Sequence, residues 1–220
     1  MDYSKAETAL LMAWRDIESR FPRAALSQEV HLSIATVRAL TEGRPLSVEL
    51  LSEAWGMPLD QTRQIFRAAK GRSIEVDDRD QLVGAAGLSL NETSHEMIID
   101  GRSMYAWCAW DALFIPAYLD TPATVRSTDP ANGDQITVEV APTSIKSSKP
   151  DATVLSILVP SLDSPEGMQT GPGSARCSAM HFFTDEAIAT KWVGDRTDLV
   201  ILRPAQALDI AHRTWLSLTA

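Results

Sequence analysis

A chain of 220 residues with ordinary apolar and charged fractions can bury a sizeable core as one large domain or two small ones. Its net charge of −9 favours solubility and works against binding a phosphate backbone. No apolar run reaches the roughly 18–20 residues of a membrane span, and the start Met-Asp-Tyr-Ser-Lys carries no secretory pattern. A cytoplasmic protein with reduced thiols is therefore expected.

The first half reads as helical. Ala9, Leu10, Ala13, Trp14 and Ile17 form an apolar stripe within a helix from Ala6 to Phe21 that ends before Pro22. A second helix over about Val30 to Leu40 stops at Gly43. Ser47 is placed to cap a short helix, Glu49 to Trp55, closed by Gly56, and Pro58 opens another. Ser73 to Val76 and Gln81 to Val83 flank Asp-Asp-Arg-Asp as a hairpin. Helix, turn, helix and hairpin make the winged-helix pattern. Its use on DNA is disfavoured, because residues 1–95 hold 11 Lys plus Arg against 14 Asp plus Glu, a net of −3.

The second half is mixed. Tyr105 to Leu119 is apolar and aromatic, with a helix expected over at least its first part. Strands are expected at Ala123 to Ser127, Gln135 to Val140, Thr153 to Val159, Ser178 to Phe183 and Leu199 to Leu202. Ser161 to Arg176 reads as a surface loop, Asp185 to Trp192 as a short helix, and Pro204 to Leu218 as a closing helix. The fold class expected is α+β.

The chemistry centres on the only two cysteines, Cys108 and Cys177. Asp111 follows Cys108 by three positions, a spacing that brings both side chains to one face of a helix. A free cysteine is commonly a small buried hydrophobe, and each read alone fits that description. Asp111 among Trp107, Trp110, Leu113 and Phe114 is different: a carboxylate in such company needs a partner, a task, or a route to solvent. His95 and His181 stand isolated and read as hydrogen-bonded structural histidines. No close ligand spacing of a structural zinc site is present, nor a P-loop or nucleophile elbow.

Tyr105-Ala-Trp-Cys-Ala-Trp-Asp-Ala-Leu-Phe-Ile-Pro116, with Cys177 about 70 residues later and His181-Phe182-Phe183 beyond it, resembles the alkylmercury lyase (organomercurial lyase, MerB) family. Gly43 to Ser47, Leu88 to Ser94 and Lys191-Trp192 extend the resemblance over most of the chain. It implies a winged-helix-like module over residues 1–90 packed on a mixed or antiparallel catalytic core over 91–220. It implies Cys108, Asp111 and Cys177 as the catalytic set, which would also hold the product Hg²⁺. The implied reaction is protonolysis of a carbon–mercury bond. On this reading Cys108 attacks mercury first, Cys177 second, and Asp111 carries the proton to carbon. No cofactor is required, the substrate is an organomercurial, and thiols or a mercuric reductase accept the metal. No nucleic-acid or membrane partner is implied, and nothing selects an oligomeric state. Family members carry a cysteine where this chain has Asp129, and some another at Ser178; the first loss is expected to alter stability more than activity. Two other readings use the same thiols, namely a non-catalytic carrier of thiophilic metal and a metal-sensing winged-helix regulator. Asp111 argues for the enzyme, since a carrier needs no proton donor there.

Overall fold

Four helices open the computed structural model, which describes residues 3–161, 171 and 173–219. Helices α1 (Tyr3–Arg20) and α2 (Arg23–Leu40) are separated by Pro22. α2 starts well before the expected Val30, because Pro22 occupies its N-cap and Leu26, Val30, Val37 and Leu40 continue one buried stripe. α3 (Val48–Trp55) begins where Ser47 accepts a hydrogen bond from the Leu50 N–H at 3.3 Å and ends at Gly56 with φ 61°, as its sequence predicts. α4 (Leu59–Ala69) follows Pro58. The hairpin β1 (Ile74–Val76) and β2 (Leu82–Ala85) turns at Asp77, whose carboxylate accepts from the Arg79 and Gln81 N–H groups at 2.9 and 2.8 Å.

That hairpin is the edge of a larger sheet. β3 (Leu88–Ser89), β4 (His95–Ile99), β5 (Arg102–Ala106), β6 (Ala123–Thr128), β7 (Gln135–Ala141) and β8 (Ser144–Lys149) join it in the order β1-β2-β3-β5-β4-β6-β7-β8, each neighbouring pair antiparallel. Alternation faces Met97, Ile99, Val125, Val138 and Val140 into the core. A second sheet places β9 (Val154–Leu158) between β10 (Phe182–Phe183) and β11 (Leu199–Leu202). Every residue of β9 is buried, matching its unbroken apolar and β-branched run. α5 (Asp111–Leu119), α6 (Glu186–Val193) and α7 (Pro204–Arg213) complete the α+β fold. α5 is apolar nearly all round and is wedged among α2, α7 and β7.

Three expectations are corrected. Tyr105 and its neighbours lie in β5, so the helix begins only at Asp111; the strand pairs with β3 and β4, and tertiary pairing overrides the local pattern. Cys177–Ala179 is a tight 3-10 turn, which leaves only Phe182–Phe183 as strand. The closing helix breaks at Thr214 into a second 3-10 turn, Trp215–Thr219. No helix among the described residues is long and apolar enough to cross a membrane.

Candidate active site

Cys108 stands in the turn between β5 and α5, and Asp111 is the first residue of α5. The pair therefore meets by a different route from the single helix expected. The Ala112 N–H donates to the Cys108 carbonyl at 3.2 Å, closing one helical turn, and the Cys108 thiol donates to Asp111 Oδ2 at 3.0 Å. Two further backbone bonds fix this turn. The Trp107 N–H donates to the Gly87 carbonyl at 2.8 Å, and the Ala109 N–H donates to the Met180 carbonyl at 3.1 Å. The second bond ties the Cys108 turn directly to the segment carrying Cys177.

Cys177 is held from below by β9. Buried Ser156 donates its hydroxyl to the Ala179 carbonyl at 2.7 Å and accepts from the His181 N–H at 3.1 Å. The Cys177 N–H donates to Ser174 Oγ at 3.2 Å. Of the loop expected to deliver this cysteine, residues 162–170 and Pro172 lie outside the described residues. Both sulfurs and a carboxylate oxygen of Asp111 lie within 4.8 Å of one another. Both cysteines are free thiols.

Gly87 completes the geometry. Its φ is +89°, and a Cβ there would fall 2.6 Å from Asp111 Cγ, so only glycine lets the carboxylate sit where it does. Sequence reasoning missed this residue; its one visible signal was a glycine between two short apolar runs.

The cluster opens on a cavity of about 470 Å³ with mostly apolar and aromatic walls, including Trp14, Trp55, Phe114 and Trp215. Asp111 and Cys177 line it, whereas Cys108 has no exposed surface and sits behind them. Burial pushes the Asp111 carboxyl up from 3.8 to about 6, against the opposing effects of the Cys108 hydrogen bond and the Arg176 charge. Burial also holds the Cys108 thiol well above its ordinary range, reinforced by Cys177 and the Asp111 charge. The Cys177 thiol is shifted down, chiefly by its hydrogen bond with Cys108 and further by Ser174. Thus the cavity-facing sulfur is the more acidic one.

The histidines lie outside the cluster. His95 is buried with Nδ1 2.8 Å from Ser127 Oγ and is pushed down to about 3 by burial and by His181; His181 Nε2 sits 2.9 Å from the Ser178 carbonyl. Buried Asp129 accepts from the Thr184 N–H and hydroxyl at 2.8 and 3.0 Å and from the Ala131 N–H at 2.9 Å. It ties the β6–β7 turn to the start of α6 and is not a member of the sulfur cluster.

In sequence, the chain is similar to known proteins. The family model described as alkylmercury lyase matches residues 88–216. The chain belongs to the alkylmercury lyase family. The alkylmercury lyase of Streptomyces lividans is 33% identical over 176 residues, covering 80% of this chain and 78% of its own. That of Pseudomonas putida is also 33% identical, over 184 residues, covering 82% and 81%. In fold, the chain is similar to the crystal structure of the mercury-bound form of MerB2, with a TM-score of 0.72 at 21% identity, over 97% of this chain and 100% of that one.

Proposed function

We propose that Cys108, Asp111 and Cys177 form the reaction centre of an alkylmercury lyase that cleaves R–Hg⁺ with a proton to give R–H and Hg²⁺. The observation that carries this is the meeting of two thiols and one carboxyl within 4.8 Å beside an apolar cavity, with the Cys108 thiol already hydrogen-bonded to Asp111. Thiolate is the ligand class that soft mercury prefers.

The order of events differs from the one read in the sequence. Cys177 faces the cavity and is the more acidic thiol, so its thiolate displaces the thiol that delivers the organomercurial. Cys108 still holds its proton and passes it to Asp111 along the 3.0 Å hydrogen bond as its sulfur joins mercury. Two sulfurs weaken the carbon–mercury bond. Asp111 then gives that proton to the leaving carbon, which departs as R–H, and the carboxylate is restored. A carboxyl shifted to about 6 suits an acid–base relay near neutral pH. Hg²⁺ stays on both sulfurs with Asp111 beside it until thiols or a mercuric reductase remove it. This sequence uses no resident cofactor, and it suits a reducing, cytoplasmic setting in which both thiols stay free.

Residues 1–90 act, on this reading, as a winged-helix-like module, with α3, α4 and the β1–β2 hairpin as its elements, and residues 91–220 as the catalytic core. The family match beginning at residue 88 supports that division. The module covers the cavity with Trp14 and Trp55, and its acidic balance argues against DNA. The test is benzene release from phenylmercury by the protein and its Cys108→Ser, Cys177→Ser and Asp111→Asn variants. Each variant is expected to lose turnover. Full activity in any one removes that residue, and mercury binding with no benzene from the unaltered protein would establish the carrier reading instead.

A further inference from the structure

Three charged side chains line the cavity among the described residues: Asp111, Arg176 and Glu29. Arg176 is the sole cation. It immediately precedes Cys177, is half-buried, and its guanidinium makes no hydrogen bond or ion pair within the hydrogen-bonding and ion-pair distances of the described residues. Its charge is nevertheless felt at Asp111, whose carboxyl it pulls down against the effect of burial. A guanidinium offers a planar fork of donors that matches a carboxylate, and apolar walls make an unanswered one more demanding of an anion than it is in water. Glu29, on α2, repels an anion from its own part of the cavity. Asp111 also lies beside Cys177, and Arg176 is the one lining charge there that attracts an anion.

We infer that Arg176 binds a carboxylate carried by the incoming organomercurial complex and so sets which complexes the enzyme prefers. This rests on the lyase reading of the same site. Two parts of the complex can bear that carboxylate: the organic group on mercury, or the small thiol that delivers it and is displaced by Cys177. In both, a carboxylate a few bonds from mercury comes within reach of the residue next to Cys177. Arg176 is thereby a specificity residue, distinct from the three groups that move the proton and hold the metal.

The experiment compares steady-state kinetics of the full chain and its Arg176→Met and Arg176→Lys variants on paired substrates. The first pair is phenylmercury and 4-carboxyphenylmercury, both with 2-mercaptoethanol. The second is phenylmercury with 2-mercaptoethanol or with 3-mercaptopropionate. Arg176→Met is expected to raise KM for the carboxylated member of one pair by about tenfold more than for its neutral partner, with kcat changing alike for both. Arg176→Lys keeps the charge and is expected to restore part of the discrimination. An effect confined to the first pair places the carboxylate on the organic group; one confined to the second places it on the carrier thiol. Equal KM changes within both pairs overturn the inference while leaving the lyase intact. Absence of benzene release from the unaltered protein refutes the lyase reading itself.

Discussion

Replacing Asp111 by Asn is expected to make the protein more stable while removing its turnover. The folded-state carboxyl titrates near 6, above its ordinary 3.8. Between those values the folded protein binds a proton that the unfolded chain has released, so ionised Asp111 opposes folding at neutral pH. At about 1.4 kcal/mol per pH unit, the cost is roughly 3 kcal/mol. Asn keeps an oxygen for the Cys108 thiol but carries no charge to desolvate. Its advantage is full above about pH 6.5, near half at about pH 5, and gone below about pH 3.8, where the wild-type carboxyl is neutral in both states. Urea unfolding reads this directly: with a slope of about 2 kcal/mol per molar, the midpoint rises by about 1–1.5 M near pH 7.5 and by clearly less at about pH 5. An Asn variant no more stable than the parent near pH 7.5, or equally stabilised at both pH values, refutes the claim that a desolvated carboxylate is held there.

Limiting iodoacetamide near pH 8 should alkylate Cys177 before Cys108, as mapped by mass spectrometry, because Cys177 is the more acidic thiol and faces the cavity; the reverse order would remove the proposed sequence of attack. Gly87→Ala drives a methyl into Asp111 and puts alanine in the left-handed region at a cost of roughly 1–2 kcal/mol. It should lower kcat on phenylmercury more than tenfold with mercury binding retained, and an unchanged kcat would show that the carboxylate needs no such fit. Asp129→Ala strands the Thr184 and Ala131 N–H groups and should cost on the order of 3 kcal/mol in thermal unfolding, with turnover at low temperature unchanged. A loss of kcat in the still-folded variant would mean that the turn at Asp129 reaches the sulfurs.

Local chemistry made much of this protein legible in its sequence. Ser47 and Gly56 bound α3, Pro58 precedes α4, and Asp77 turns the β1–β2 hairpin, because caps and turns are set by residues a few positions apart. The candidate trio Cys108, Asp111 and Cys177, which the fold brings together, was also visible, through the cost of a carboxylate among aromatics and the resemblance that Tyr105 to Pro116 carries. What the sequence left undecided depends on partners distant in the chain. β5 takes residues expected to be helical because β3 and β4 offer it hydrogen bonds. Two cysteines far apart along the chain become one site through the Ala109–Met180 bond and the Ser156 clamp. Which sulfur faces the cavity, the room that Gly87 leaves for Asp111, and the place of Arg176 at the cavity wall were all decided by tertiary packing. Burial and solvent access, which govern the acidity of every group in this site, are properties of the assembled fold, whereas residue identity and spacing alone specify which groups are present to be tuned.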